Sequence, residues 1–119
     1  MEKENSRKNE IAQKYGIDFK GLEDEQIEMS KKISLKDKFD FSLVERYAAI
    51  ETIFLENKIL CCIIVCDKDF EIIDKAYAFE KIKFPYVPGF RNYREMPTMK
   101  LAFEKINEKF TYFFKVLFN

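Results

Sequence analysis

The sequence predicts an α/β domain in which three antiparallel strands are followed by a helix and a parallel strand. Ile59–Cys66 is an unbroken apolar run rich in Ile and Val, which is typical of a strand buried on both faces. Strand-like runs flank it at 43–55 and 70–83, and the short polar turns at 56–58 and 67–69 favour an antiparallel meander. With 119 residues and 47% apolar content, the chain can form one domain with a core.

A helix and a fourth strand are predicted after the meander. The apolar face of the helix is marked by residues at helical spacing, Met99, Phe103, Ile106 and Phe110. Pro97 is expected in its first turn, where a missing N–H is tolerated. A strand is predicted at 113–118, and a strand–helix–strand order favours a right-handed crossover with parallel pairing. Because little sequence follows that strand, we expect an incomplete sheet with one uncovered face.

The first 40 residues form a polar segment that we interpret as a helical extension outside the core, with residues 41–119 as the sheet core of one domain. Leu22, Gln26, Met29 and Ile33 can share one helical face. This spacing predicts one weakly amphipathic accessory helix at about Leu22–Leu35.

Composition narrows the range of functions. Lys plus Arg equals Asp plus Glu at 21 each, so overall charge argues neither for nor against a polyanionic partner. Cys61, Cys62 and Cys66 share one run and histidine is absent, which favours small buried thiols without disulfides in a reducing compartment and argues against a zinc site. The apolar runs are too short to span a bilayer, and the charged N-terminus lacks a signal-peptide core, so a cytoplasmic protein is expected.

Local charge is less even than the total. The basic segment, residues 81–100, holds a single acid, Glu95, among basic residues, which are Lys81, Lys83, Arg91, Arg94 and Lys100. Four aromatic residues are interleaved with them, Phe84, Tyr86, Phe90 and Tyr93. Cations neutralise phosphates and rings stack on unpaired bases, so the segment is a candidate nucleic-acid surface. The alternative is a solvated loop with its Phe rings turned inward.

The centre of this segment is a short loop with unusual backbone constraints. Pro85 and Pro88 fix φ on either side of Tyr86, and Gly89 permits a conformation that other residues avoid. The loop can therefore hold Tyr86 outward as a rigid wedge. The alternative interpretation is a Pro-rich turn between a strand and a helix.

Two carboxylates are candidates for metal-assisted chemistry. Glu51 interrupts an apolar, neutral stretch at 47–55, so it is either an outward-facing strand residue or a metal ligand. Glu95 lies near the start of the predicted helix, where a negative charge is favourable. It is also a candidate second ligand, and the two roles are compatible. Magnesium prefers such oxygen ligands.

Three motifs together resemble the endonuclease V family. They are the loop Phe84-Pro-Tyr-Val-Pro-Gly89, the element Tyr93-Arg-Glu-Met-Pro97 and the strand Tyr47-Ala-Ala-Ile-Glu-Thr52. The resemblance implies a ribonuclease-H-like fold and Mg²⁺-dependent cleavage, with Mn²⁺ as a possible substitute, of DNA or RNA near deaminated (inosine) bases. It places Glu51 and Glu95 on catalytic, metal-binding carboxylates and Tyr86 on the strand-separating wedge. It also assigns nucleic-acid contacts to the loop, Pro85, Tyr86, Val87, Pro88 and Gly89. The charge of the basic segment adds Arg91 and Arg94 as candidate contacts.

The chain also departs from that family pattern. Glutamate replaces aspartate at position 51, and a displacement of about 1 Å can lower a rate ~100-fold. Arg91 stands where the family usually has an apolar residue. The family's later Asp-Gly-x-Gly and His-Pro-Arg motifs, with a third carboxylate and a histidine, have no counterpart before Asn119. We therefore expect an impaired, truncated nuclease. The alternative is a non-catalytic remnant that binds nucleic acid or associates, with itself or a completing chain, through an exposed sheet.

Overall fold

A computed structural model describes residues 2–36 and 40–108, together with the backbone of 112–115. Contacts divide the chain into two compact units, one ending at residue 39 and the other beginning at residue 40. Within the described ranges, none of the helices has the length and apolar character needed to cross a membrane.

The first unit contains two helices, α1 (Glu2–Tyr15) and α2 (Phe19–Ser30). The prediction of a single helix at Leu22–Leu35 was therefore incomplete, and its C-terminal boundary was too late. No residue of α1 is buried, so this helix carries no apolar stripe from which sequence periodicity could reveal it.

The link between these helices is set by a glycine and an aspartate. Gly16 has φ +65°, and the next residue, Ile17, donates its N–H to the Ala12 carbonyl at 3.0 Å, which closes α1 in a Schellman-type turn. Asp18 then caps α2 by accepting the Gly21 N–H at 3.1 Å. These local bonds satisfy backbone groups that helix ends leave unpaired.

The second unit contains a four-stranded mixed sheet. Its strands are β1 (Arg46–Leu55), β2 (Lys58–Asp67), β3 (Ile72–Lys81) and β4 (Tyr112–Lys115), in the spatial order β3-β2-β1-β4. β1 to β3 form an antiparallel meander, and β4 pairs with β1 in parallel. The predicted order of three antiparallel strands, a helix and a parallel strand is confirmed. The residues predicted for the fourth strand beyond 115 lie outside the described ranges.

The helix α3 spans Arg91–Glu104, and Pro97 lies inside it rather than in its first turn as predicted. The helix begins earlier because Phe90 accepts the Tyr93 N–H at 3.2 Å and opens the first turn. Pro97 then lies in the second turn, where it cannot make the backbone bond of an N–H donor and its ring faces the preceding turn.

The face that α3 turns to the sheet also differs from the prediction. Its buried residues are Glu95, Thr98 and Ala102, whereas Phe103 is 51% exposed. Met99 and Ile106 do pack against the core, although Ile106 follows the helix, and Phe110 is outside the described residues. Small and polar residues at positions i, i+3 and i+7 therefore let α3 approach the strands closely.

The core lies between α3 and one face of the sheet. It contains alternate residues of the strands and one alanine of α3, namely Ala48, Ile50, Cys61, Ile63, Val65, Ala78 and Ala102. The same alternation leaves Cys62 exposed and Cys66 half-buried, and the three cysteines form no disulfide. Burial was predicted for all three cysteines, but only Cys61 is buried, because neighbouring strand residues point to opposite faces.

An aspartate fastens the segment that follows α3 to the sheet. Asp74 of β3 accepts the N–H groups of Asn107 and Glu108 at 2.9 and 3.1 Å, and that of Lys75 at 2.8 Å. These bonds favour the ionised carboxylate, and those from Glu108 and Asn107 hold the pKa of Asp74 below its ordinary value. The chain is thus directed from α3 toward β4.

Candidate nucleic-acid interface and carboxylate pair

The loop between β3 and α3 is anchored from beneath by two apolar side chains. Val87 is 8% exposed and Phe90 is 5% exposed, and the Phe90 N–H donates to the Val87 carbonyl at 3.0 Å. Gly89 adopts φ +90° within this turn, a conformation that side-chain-bearing residues rarely adopt. The loop is therefore a constrained turn, in agreement with the stiffness expected from its prolines.

Tyr86 projects from this turn and is 64% exposed. The Arg94 guanidinium carbon lies 4.6 Å from the Phe54 ring centroid and 5.6 Å from that of Tyr86. We call these three residues the Arg94 stack. Cation–π attraction to both rings lets Arg94 join the loop to the end of β1 and support Tyr86 from behind.

The other aromatic residues of the segment pack with one another. The Phe84 and Tyr93 centroids are 5.9 Å apart, and those of Phe90 and Tyr93 are 6.4 Å apart. Phe90 is buried, and Phe84 and Tyr93 are half-buried. This burial agrees with the alternative of inward-turned Phe rings, whereas the exposed Tyr86 is compatible with a nucleic-acid surface. The Phe rings turn inward, while Tyr86 is left available to a partner.

The basic residues of the segment divide into two groups. Lys81, Lys83 and Lys100 are exposed. The two arginines make local contacts, because Arg94 lies between rings and Arg91 pairs with Glu95. Arg91 nevertheless remains 56% exposed along its side chain.

Glu95 is the most deeply buried charged residue of the described part of the chain, with 1% of its surface exposed. Thr52 of β1 donates its hydroxyl to Oε1, and Arg91 donates Nε–H to Oε2 at 2.5 Å. A buried carboxylate is costly unless it is paired and hydrogen-bonded. Here the pairing comes from one neutral donor and one cation.

Glu51 precedes Thr52 in β1 but belongs to the other face of the strand. Ala48, Ile50 and Thr52 are buried, whereas the intervening residues through Glu51 are half-buried. Oε2 of Glu51 is shielded from solvent without a hydrogen-bond partner, as is Nε of Arg94. No ion pair among the described residues joins these two opposite charges.

The residues present do not form a ready-made metal centre. Within 2–36 and 40–108, no group of three His, Cys, Asp or Glu residues is placed to share an ion. Glu51 has an unpaired oxygen that could serve a cation, but both oxygens of Glu95 are engaged. Strand alternation also separates the two carboxylates by face.

Two contributors to this site were not predicted from the sequence. Thr52 donates its hydroxyl to the Glu95 carboxylate, and the Phe54 ring contacts the Arg94 guanidinium. In the sequence, each has the appearance of an ordinary strand residue. Their spacing of two places both on one face of β1. That face could be inferred from alternation, but its meeting with α3 required the tertiary structure.

The family of this chain is shown by its sequence similarity to known proteins. The Endonuclease V family model matches residues 27–116, more than half of the chain. The chain belongs to the endonuclease V family. It is 38% identical over 85 residues to an endonuclease V of Dictyoglomus turgidum and 30% identical over 89 residues to one of Bacillus thuringiensis. Each match covers 71% of this chain, which spans 36% and 38% of the two relatives.

Solved structures of endonuclease V share the fold. One from Bacillus subtilis has a TM-score of 0.73 at 24% identity and covers 83% of this chain and 44% of its own. One from Ciona intestinalis, in complex with a 23mer DNA containing an inosine, has a TM-score of 0.65 at 16% identity, covering 72% and 38%. The sheet and α3 are thus ribonuclease-H-like, as the resemblance implied.

Proposed function

We propose that this chain engages DNA or RNA containing deaminated bases by using Tyr86 as a wedge, within the endonuclease V reaction of phosphodiester cleavage. The observation that carries the proposal is the constrained loop that presents an exposed tyrosine backed by Arg94. The Ciona relative bound to inosine-containing DNA supports this choice of partner.

Stacking supplies the energy for this contact. A base stacked on an aromatic ring contributes about 1–3 kcal/mol, largely independently of sequence. A ring held in place loses less rotamer entropy on binding than a mobile one. The fixed turn and the Arg94 stack therefore favour insertion of Tyr86 beside an unpaired base.

The exposed lysines supply the charge. Lys81, Lys83 and Lys100 lie within the same segment and can neutralise phosphates. Each phosphate neutralised contributes about 0.7–0.9 to the slope of log affinity against log salt. Binding is therefore expected to weaken steeply as salt rises.

The catalytic part of the proposal rests on Glu51 and Glu95 as carboxylates for Mg²⁺ or Mn²⁺. The family assignment and the shielded Glu51 oxygen support it. The engagement of Glu95 by Arg91 and Thr52 favours a second candidate, which is nucleic-acid binding without cleavage.

The binding experiment compares Tyr86→Ala with Tyr77→Ala by fluorescence anisotropy of an inosine-containing oligonucleotide. Tyr77 is a matched control, because it lies on β3 and is also 64% exposed. We expect Tyr86→Ala to weaken binding by about 5-fold to 150-fold, from a stacking energy of about 1–3 kcal/mol, and Tyr77→Ala to change it little. Equal effects of both substitutions would refute the wedge.

A cleavage experiment separates the two candidates. The purified chain is incubated with the same oligonucleotide and Mg²⁺ or Mn²⁺, beside a longer endonuclease V relative. A metal-dependent product that disappears in Glu95→Gln supports the nuclease. Salt-sensitive binding without a product, while the relative cuts, supports the second candidate.

Self-association is a further part of the proposal. Ile53, Leu55, Tyr77 and Phe79 expose apolar surface on the sheet face opposite α3, and such a face favours pairing with a second copy. Sedimentation velocity is expected to show a dimer that Phe79→Lys disrupts. A monomer across the accessible concentration range would contradict this.

We also propose a cytoplasmic location. The free thiols include the exposed Cys62, and such thiols persist in a reducing compartment. Fractionation of cells expressing the tagged chain tests the location, and recovery in an oxidising compartment would contradict it.

A further inference from the structure

Two lysines lie directly opposite each other at one end of the β2–β3 hairpin. Lys58, the first residue of β2, and Lys81, the last residue of β3, are Cα partners in the antiparallel ladder. Such partners point to the same face of a sheet, with Cβ atoms about 4.5–5.5 Å apart. Because Cys61 belongs to the core beneath α3, strand alternation places both lysines on the opposite, open face. We call Lys58 and Lys81 the lysine pair.

The charges of the lysine pair are not balanced by the surrounding protein. Both residues are exposed, and within 2–36 and 40–108 neither forms an ion pair with a carboxylate. Lys58 Nζ lies 5.2 Å from the Phe79 ring centroid, a contact that holds its side chain along the open face. Like charges directly opposite each other in a sheet are destabilising. An anion that binds between the two lysines removes this repulsion.

The lysine pair is fastened to the segment that leads into the Tyr86 loop. The Ile82 N–H donates to the Asn57 carbonyl at 2.7 Å, which continues the β2–β3 ladder one step past the lysines. Lys81 precedes Tyr86 by five residues, so their Cα atoms are at most ~18 Å apart. That span corresponds to about five nucleotides of a stacked strand, at about 3.4 Å each. A strand whose base contacts Tyr86 therefore has phosphates within reach of the pair.

We propose that the lysine pair binds backbone phosphates of the strand that Tyr86 engages, which extends the nucleic-acid surface to the turn between β1 and β2. The proposal rests on the proposed function, since it concerns the same nucleic-acid partner. Lys58 lies outside the basic segment, and only strand pairing brings it beside Lys81. Phosphate contacts position a nucleic acid without reading its sequence. The pair therefore contributes affinity and orientation, whereas Tyr86 contacts the base.

The test measures affinity for the inosine-containing oligonucleotide by fluorescence anisotropy at several KCl concentrations. The double variant Lys58→Gln/Lys81→Gln removes both charges and keeps much of the side-chain length. We expect the slope of log affinity against log salt to become less steep by about 1.4–1.8, from about 0.7–0.9 for each phosphate. The matched control is Lys68→Gln/Lys75→Gln, which removes two exposed lysines toward the other end of the hairpin. It should leave the slope nearly unchanged.

Neutral methylphosphonate linkages in the oligonucleotide locate the contact. Placed within about five nucleotides of the inosine, they should make the slope less steep for the unmodified chain. The same linkages should have a smaller effect on Lys58→Gln/Lys81→Gln, because the contacts they remove are already lost. Equal effects on the two proteins would overturn the proposal.

Circular dichroism verifies that each variant is folded, and Lys58→Gln alone, with an expected change of about 0.7–0.9, carries the test if the double variant does not fold. An unchanged slope in a folded variant overturns the proposal, as does an equal change in the control, because net charge would then explain the effect. Sedimentation velocity under the assay conditions verifies that the oligomeric state is the same. Tyr86→Ala should lower the affinity without changing the slope, so failure of the wedge is distinguished from failure of the lysine pair.

Discussion

Replacing Arg94 by methionine tests how Tyr86, the residue proposed as the wedge, is held in place. Methionine retains an unbranched apolar chain but no charge over the Phe54 and Tyr86 rings, which lie 4.6 and 5.6 Å from the guanidinium carbon. Each cation–π contact at an exposed site contributes ~0.5–1 kcal/mol. Because Tyr86 is well exposed and Phe54 is partly so, we expect a loss of about 1–2 kcal/mol in the free energy of unfolding.

Urea denaturation followed by circular dichroism measures this loss, and a double-mutant cycle with Tyr86→Ala isolates the contact between the two side chains. The coupling free energy is expected to be about 0.5–1 kcal/mol. Arg94→Lys keeps the charge and should lose less. Tyr77→Ala is the control, because its ring has a similar contact with Lys105 at 5.7 Å. A double-mutant cycle of Arg94→Met with Tyr77→Ala should show no coupling free energy. Zero coupling between Arg94 and Tyr86 would refute the role of the stack.

Three further predictions concern the loop and the segment after α3. Phe90→Ala should lower the free energy of unfolding by about 3–5 kcal/mol, because the ring is buried, and urea denaturation checks this. Gly89→Ala should lose about 1 kcal/mol by the same assay, because its positive φ strains an L side chain although space is open, and an unchanged stability would contradict this. Asp74→Asn should lower the melting temperature at pH 7. The pKa of Asp74 is held below 3.8, so its contribution is present above the unfolded value and is lost as pH falls through the folded value. The two melting temperatures should therefore converge as the pH falls through that folded value, and a gap that persists at the lowest pH at which the chain stays folded would contradict the assignment.

The meander could be predicted because its hydrophobic signal is local. Ile59–Cys66 is apolar throughout, and short polar turns bound it on both sides. The helix α1 could not be predicted in this way, because none of its residues is buried and the sequence shows no clear apolar face. Because Pro97 was placed in the first turn of α3, the predicted start of the helix was too late. The helix tolerates the proline in its interior, although one backbone bond is missing there.

Individual residues of the site could be predicted from the sequence, but the contacts between distant residues could not. The exposed Tyr86 and the constrained Gly89 follow from backbone preferences that any loop with these residues would have. The burial of Glu95 and its bond to Thr52 join positions 43 residues apart. Such a contact depends on how α3 packs on the sheet, which sequence spacing does not specify.

The most direct measurement of the wedge uses 2-aminopurine placed beside inosine in a duplex oligonucleotide, because its fluorescence rises when it loses its stacked neighbours. Adding the chain should raise the fluorescence, and Tyr77→Ala should do the same. Tyr86→Ala, at concentrations that give equal occupancy by anisotropy, should leave it near the level of free duplex. A full rise with Tyr86→Ala would contradict the claim that this tyrosine separates the bases.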